Sequence, residues 1–588
     1  MNGFRLAVLA ASMTFSLTAC LDEGEPPAAT PDAGAPSLLS YVPADSPYLA
    51  ATLEPLPDEV IDFLLAGLRP ALDVVQARLA LTRAALEQDA LSVDRDGRIA
   101  LALLRELDGK LDRRGLETLG FDLAAPKVAY GMGVFPVARI GLLDAKALRD
   151  AIDRVLTDAG VDAPQLDFRG TGYWRLSGEP SDELPVGLYL SVLEDQLAMG
   201  LFPLSAEAQL LPAFLGLEQP AGGDALSRLQ ELNRAQGYTA YGSAILDLQL
   251  LADEFMQADS LTARALAGHG SFDPAALTQV CRDEIQGIIR HTPKMTVGTT
   301  ELSTAAVAYE YRLETRPGLG ADLAALVAAI PAADTDSRRL LEFSFGMRFG
   351  PVRDFLREHV GLVVAAPYRC EKLQELNEGA VEALASLSRP LPPLINNFKG
   401  LRLALDDIAM SQGALPSAAR GHLAVHVDRP EMFLGMAQMF LPGLAELAIE
   451  PGKPPVRLPP GLVPMPGVVA HAALSSDAIG IALGAGEEGR LPDYLNQQAA
   501  SDGTFLSANY DMDEYMDYRQ SLGAARSGQG EFGDTAPAAV MKLADAFQEA
   551  LRNITDRSYT ALKFTAEGFV VESRTSFEQA AGQRTLNQ

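Results

Sequence analysis

The chain has few of the side chains on which metal and redox chemistry depend. Its 588 residues include three cysteines, six histidines and one tryptophan. Basic residues are also under-represented, because 48 Lys and Arg face 77 Asp and Glu and leave a net charge of −29. Such a surface repels phosphate backbones and anionic head groups. We therefore expect no nucleic-acid partner and no attachment to membranes through a basic patch.

Signatures of common catalytic sites are missing as well. The sequence has no GxSxG nucleophile motif, no GxxxxGKS/T phosphate loop, no HExxH helix and no GxGxxG that opens a helix. We therefore predict no catalytic residue, no metal site and no cofactor. A periplasmic hydrolase with an unrecognised site remains an alternative, because catalytic groups need not be close in sequence.

The N-terminus has the layout of a secretory signal peptide. Arg5 precedes an apolar run from Leu6 to Phe15, and small residues follow before Cys20. The run has about ten residues, roughly half of what a bilayer-spanning helix needs. We predict that residues 1–19 are a signal peptide that is removed after export.

The end of this segment, Leu17-Thr18-Ala19-Cys20, resembles the lipobox of bacterial lipoproteins. The resemblance implies cleavage before Cys20 and lipidation of its thiol, so that acyl chains hold the protein to a membrane. An ordinary signal peptide is the alternative, but its cleavage requires a small residue where Leu17 stands. In this class an Asp after the cysteine retains the protein at the inner membrane. Leu21 at that position implies the outer membrane, facing the periplasm.

Residues 20–37 are acidic and rich in proline and alanine, without apolar periodicity. We interpret them as the lipidated cysteine and a disordered tether, with folded structure beginning near Leu38. The segment Tyr41-Val42-Pro43-Ala44-Asp45 follows. With the lipobox and the tether, it resembles duplicated lipoproteins of Gram-negative envelopes. That resemblance implies an envelope location and no particular activity.

The remaining sequence predicts an α+β fold. A short apolar strand, a turn with Asp or Pro and an amphipathic helix recur from Tyr48, Ala240, Phe343 and Phe505. The order strand, helix, hairpin, helix also occurs twice, at 128–142, 145–156, 186–202 and 206–215, and again at 421–427, 430–440, 468–483 and 487–496. Alternating two-stranded segments follow at 295–316 and 558–578.

These parallels predict two related halves, each mostly antiparallel sheet with packed amphipathic helices. The halves extend over 38–316 and 340–588, with a junction at 317–339. The alternative is that the elements of any α+β chain can be aligned by eye.

Cys281 and Cys370 are the only cysteines after Cys20. Because no CxxC motif or Cys/His cluster accompanies them, we predict a disulfide formed in an oxidising compartment. Two buried, reduced cysteines that act as small apolar side chains are the alternative.

Two polar clusters could hold a cation. His422, His426 and Asp428 share the parity of one strand, but residues four apart on a strand are spread by roughly 13 Å, so we prefer a solvated strand face. Asp511, Asp513, Glu514 and Asp517 offer oxygen ligands. We interpret this second cluster as the negative start of a helix.

One apolar segment is a candidate binding surface. It carries Met432, Phe433, Met436, Met439 and Phe440 at helical spacing. Methionine adapts to irregular apolar partners, so the segment could line an acyl pocket or dock a protein. An ordinary core helix is the alternative.

These observations favour a membrane-anchored, non-enzymatic periplasmic lipoprotein. Its partners would be the membrane, through the N-terminal lipid, and an apolar ligand or an envelope protein. The alternatives are the hydrolase described above and a structural spacer, which predicts no deep cavity.

Overall fold

The predicted α+β class is confirmed. The structure, a computed structural model, has 41% helix and 30% strand. It describes residues 37–88, 95–161, 163–176, 186–218, 220, 224–267, 274–410, 416–463, 468–527, 552 and 554–578. The predicted signal peptide, Cys20 and the predicted tether up to residue 36 lie outside the described residues.

The chain divides into two compact units. The first extends over Met1–Tyr311, Ala536–Ile554 and Glu578–Gln588, and the second over Arg312–Thr535 and Thr555–Phe577. The two compact units are not the same division as the predicted halves. The predicted boundaries at 316 and 340 stay a prediction.

The first unit is built on an antiparallel sheet. Its strands are β1 Tyr48–Ala51, β2 Lys127–Met132, β3 Phe135–Gly141, β4 Leu166–Phe168, β5 Thr171–Arg175, β6 Val186–Val192, β7 Gln196–Pro203, β8 Ser243–Asp247, β9 Lys294–Leu302 and β10 Ala306–Glu314. The spatial order is β5-β6-β7-β3-β2-β1-β8-β9-β10, and β4 forms a small hairpin with β5. The first strand in sequence therefore lies in the middle of the sheet.

Helices fill the connections of this unit. They are α1 Asp58–Gly67, α2 Arg69–Gln88, α3 Arg95–Leu107, α4 Arg113–Thr118, α5 Ala145–Asp158, α6 Glu207–Phe214, α7 Ala225–Gln236, α8 Leu248–Met256, α9 Leu261–Leu266 and α10 Gln279–Ile289, with 3-10 turns at Leu38–Tyr41, Leu204–Ala206 and Pro274–Ala276. Helix α5 shows why such segments are helical. The Asp144 carboxylate accepts from the first free amides, and Leu148, Ala151 and Val155 repeat at helical spacing and are buried.

A tight hairpin joins β2 to β3 because Gly133 adopts a left-handed backbone. Its φ is +58°, which residues with a Cβ rarely adopt. A Cβ there would also lie 2.7 Å from Thr262 Oγ1. The hairpin places Val128, Tyr130 and Val137 on one face, where all three are buried.

The core of the first unit packs against that face. The rings of Tyr189 and Phe202 stack with centroids 3.9 Å apart, and Phe214 meets Phe202 edge-on at 5.7 Å. All three rings are buried. Phe214 lies on α6, so this helix covers the face of the sheet that carries Val128, Tyr130 and Val137. It does not cover the opposite face.

The second unit also contains an antiparallel sheet. Its strands are β11 Leu341–Gly346, β12 Phe398–Met410, β13 Pro416–Val427, β14 Val456–Arg457, β15 Ala470–Leu474, β16 Ala478–Leu483, β17 Thr504–Asp511, β18 Thr555–Thr565 and β19 Gly568–Phe577. Their pairings give the order β14-β15-β16-β13-β12-β11-β17-β18-β19. This order matches that of the first unit strand for strand, as the predicted duplication requires. The duplication itself stays a prediction.

The helices of the second unit are α11 Leu319–Ala324, α12 Phe349–Ala365, α13 Gln374–Leu387, α14 Pro393–Asn396, α15 Pro430–Phe440, α16 Pro442–Ala445, α17 Leu491–Leu495 and α18 Met512–Ser527, with 3-10 turns at Glu371–Leu373 and Glu487–Gly489. One core cluster joins alanines of β12, β13, β15 and β16 to Leu491 and Leu495 of α17. Small side chains on the strands let this short helix approach the sheet closely. A continuous helix over 487–496 was predicted; instead a 3-10 turn precedes α17.

Candidate ligand-binding site

A row of alanines crosses the sheet of the first unit. The row consists of directly paired residues on five neighbouring strands: Ala138, Ala129, Ala50, Ala244 and Val297. Side chains that face each other across antiparallel strands lie on the same face of the sheet. Because four of the five end at Cβ, the sheet has a shallow trough here.

Larger side chains border the trough on both sides. Tyr48, Leu246 and Met295 occupy the next row in one direction. Lys127 and Ile140 are paired in the next row in the other direction. The alanines are therefore a local depression between two walls.

The depression is part of a cavity of about 140 Å³ that strands β1, β2, β3, β8, β9 and β10 line. Its size is close to that of an engineered apolar cavity of roughly 150 Å³ that binds benzene. Tyr309 and Tyr311 line one end, at alternate positions of β10. Because Tyr311 is 40% exposed, this end of the cavity reaches solvent.

Among the residues that line this cavity, Lys127 carries an ammonium group. Its backbone is fixed to β1, since its N–H donates to Thr52 Oγ1 at 2.9 Å and its carbonyl accepts from Thr52 N at 3.0 Å. The side chain is half-buried, and Nζ donates to the carbonyl of Leu123 at 2.9 Å. Burial lowers the pKa of Lys127 to about 8, against the opposing charge of Asp122.

A buried arginine lies behind the cavity, on the opposite face of the sheet. Arg139 lies between two cavity residues of β3, and its side chain points to the opposite face with no exposure. It donates to Gln196 Oε1 at 2.9 Å and to the carbonyl of Phe214 at 2.7 Å. Its guanidinium also stacks 3.9 Å from the ring centre of Tyr41. These contacts join β3 to β7 and α6 behind the cavity.

The apolar segment predicted from the sequence lies elsewhere, in the second unit. Leu434 of α15 is buried, and Met432, Phe433 and Met436 are half-buried. Met439 and Phe440, at the end of the helix, are 73% and 81% exposed. The segment is thus partly a core helix, as the alternative proposed, and it ends in an apolar tip. Its role as a binding surface stays a prediction.

The interpretation of His422 and His426 as members of a solvated strand face is wrong. Both are buried, with exposures of 0% and 1%, because β13 is an inner strand between β12 and β16. His422 Nε2 lies 3.0 Å from the carbonyl of Glu487, and His426 Nδ1 lies 3.6 Å from Asp477 Oδ2. Burial lowers the pKa of His426. Asp428 is exposed and pairs with a lysine instead.

The acidic cluster at 511–517 begins a helix, as predicted. Asp511 Oδ1 accepts from the amides of Asp513 and Glu514 at 3.1 and 3.3 Å, at the start of α18. Partial burial raises the pKa of Asp511. Within the described residues, no group of three or more His, Cys, Asp or Glu could hold a metal ion.

Cys281 and Cys370 are disulfide-bonded, as predicted, and both side chains are buried.

The described helices include none that is long and apolar enough to cross a membrane. Lys127, which lines the cavity, has a shifted pKa. The arrangement can accommodate a small apolar group beside an ammonium group.

Comparison with known proteins gives no further assignment, since no family model matches the chain and neither a curated protein nor a solved structure is similar to it.

Proposed function

We propose that this chain is a membrane-anchored periplasmic lipoprotein that binds a small apolar ligand without chemical conversion. The anchor is the lipid on Cys20, and the site is the cavity above the alanine row of the first unit. Outer-membrane location and the tether belong to the same proposal, and they are supported by the lipobox and by Leu21 after it.

One observation carries the binding function: the alanine row. Four alanines in register on four strands leave the sheet face open where larger side chains would close it. Antiparallel sheets normally cover an apolar face with helices or expose polar residues there. An apolar trough with its own cavity volume is what a hydrocarbon ligand requires.

Photoaffinity labelling of the whole protein in its native membrane tests this function. The probe is octan-1-ol carrying a diazirine, and unlabelled octan-1-ol is the competitor. We expect saturable labelling of peptides from β1 and β10. Ala50→Leu should weaken it at least tenfold, because the added carbons fill the trough.

Ala305→Leu is the matched control, since Ala305 is exposed in the turn after β9. It should label like the wild type. Labelling that does not saturate, or that is equal in Ala50→Leu and wild type, would contradict the proposed function.

A further inference from the structure

The charge of Lys127 has no contact partner of opposite sign among the described residues, and Asp122 acts on it only from beyond ion-pair distance. No carboxylate among the described residues forms an ion pair with its amine, and its hydrogen bond goes to a neutral carbonyl. Removing an ammonium group from water without an anionic partner is unfavourable, and a partner within contact distance reverses that balance. The ammonium group of Lys127 in the cavity wall therefore favours binding of an anion that is not part of the chain.

The geometry leaves room for that partner. An ammonium group has three N–H donors, and the carbonyl of Leu123 accepts one of them. Two donors are left on a side chain that lines the cavity. Lys127 borders the alanine row, because Lys127 and Ala129 are on the same face of β2.

The surroundings also limit the charge of the partner. Arg139, the other cation that borders the cavity, is buried on the opposite face and is already hydrogen-bonded there. The site therefore offers a single positive charge. A carboxylate matches one ammonium group, whereas a phosphate monoester carries a charge of about −1.5 to −2 and would leave part of it unmatched.

We infer that the ligand is a small amphiphile whose carboxylate pairs with the amine of Lys127 while its hydrocarbon part lies on the alanine row. This inference rests on the proposed function, because it names the ligand class of the same cavity. Tyr309 and Tyr311, at the open end, would then contact the far end of the ligand.

Competition between two ligands of similar length tests the inference. Octanoate and octan-1-ol are each titrated against the diazirine probe on the whole protein at pH 7. We expect octanoate to compete at least tenfold better than octan-1-ol. Lys127→Gln should remove this advantage, so that octanoate and octan-1-ol compete equally.

Lys146→Gln is the control for charge, because Lys146 is an exposed lysine of α5 paired with Asp150. It should keep the preference for octanoate. The preference should also fall about tenfold per pH unit above pH 8, as the amine loses its proton. Asp122 is the charged group that acts on the amine, and the carboxyl group of octanoate is already ionised over that pH range.

The outcomes are distinct. Equal competition by both ligands, insensitive to Lys127→Gln, would overturn the carboxylate inference and leave the proposed function standing. If neither ligand competes, the proposed function fails, and this inference fails with it.

Discussion

Replacing Lys127 by methionine should stabilise the protein at neutral pH. The two side chains are similar in length, and methionine has no charge to desolvate. The pKa of Lys127 falls from 10.5 to about 8 in the folded protein. At roughly 1.4 kcal/mol per pH unit, charging this lysine therefore opposes folding by about 3 kcal/mol at pH 7. Loss of the hydrogen bond to Leu123 offsets about 1 kcal/mol of that gain.

The pH dependence identifies the cause. Below pH 8 the amine is charged in both the folded and the unfolded chain, so the full penalty acts on the wild type. Between pH 8 and 10.5 the folded chain releases its proton first, and the stability of the wild type rises relative to that of Lys127→Met. Above pH 10.5 the amine is neutral in both states, and the electrostatic advantage of the variant is gone.

Chemical denaturation of both proteins at pH 7, 8, 9 and 10.5 measures the difference. We expect Lys127→Met to be more stable by about 2 kcal/mol at pH 7 and to lose that advantage at the alkaline end. Lys146→Met is the control, with little change at any pH because Lys146 is exposed. A difference that stays constant with pH, or a less stable Lys127→Met at pH 7, would refute a desolvated lysine.

Further variants test other parts of the chain. Arg139→Met should lower the free energy of unfolding by about 3 kcal/mol, measured by denaturation, because Gln196 and the carbonyl of Phe214 lose a buried donor. Burial lowers the pKa of His426, so stability is lost as pH falls from 6.5 through that lower value; His426→Leu should flatten the acid limb of a melting-temperature profile. Replacing both Cys281 and Cys370 by serine should cost roughly 4 to 5 kcal/mol of unfolding free energy, the value for a loop of about 90 residues. Cys20→Ser should move the protein out of the membrane pellet, and normal processing with continued sedimentation would exclude the lipid anchor.

The sequence predicted much of the fold because local patterns decide it. The strand before Asp247 and the helix after it were expected at 240–256, and the structure has β8 and α8 there. Asp247 explains the success, since its carboxylate accepts from the amides of Gln249 and Leu250 and so fixes the change from strand to helix. The segments at 295–316 and 558–578 are strand pairs for a similar reason, because alternating burial is visible in the sequence.

The cavity could not be predicted in the same way. Its alanines are separated by up to 194 positions in the sequence, from Ala50 to Ala244, and only strand pairing brings them together. The signal that was present is weak: Ala129, Ala138 and Ala244 each lie between larger buried residues of their strands, whereas Ala50 is followed by another alanine. Burial of His422 and His426 was missed because the central position of β13 depends on β12, a strand that the sequence analysis did not predict.

A ligand trough with a floor of alanines can be made deeper or shallower by one to three carbons at a single position. Exchange of Ala50 or Ala244 for glycine, valine or leucine changes its depth without touching the backbone hydrogen bonds of the sheet. The length of the hydrocarbon chain that fits would then depend on the side chains at these few positions. Lys127 would still bind the carboxylate of the ligand. Substitutions at Ala50 and Ala244 alone would therefore change which ligand is bound.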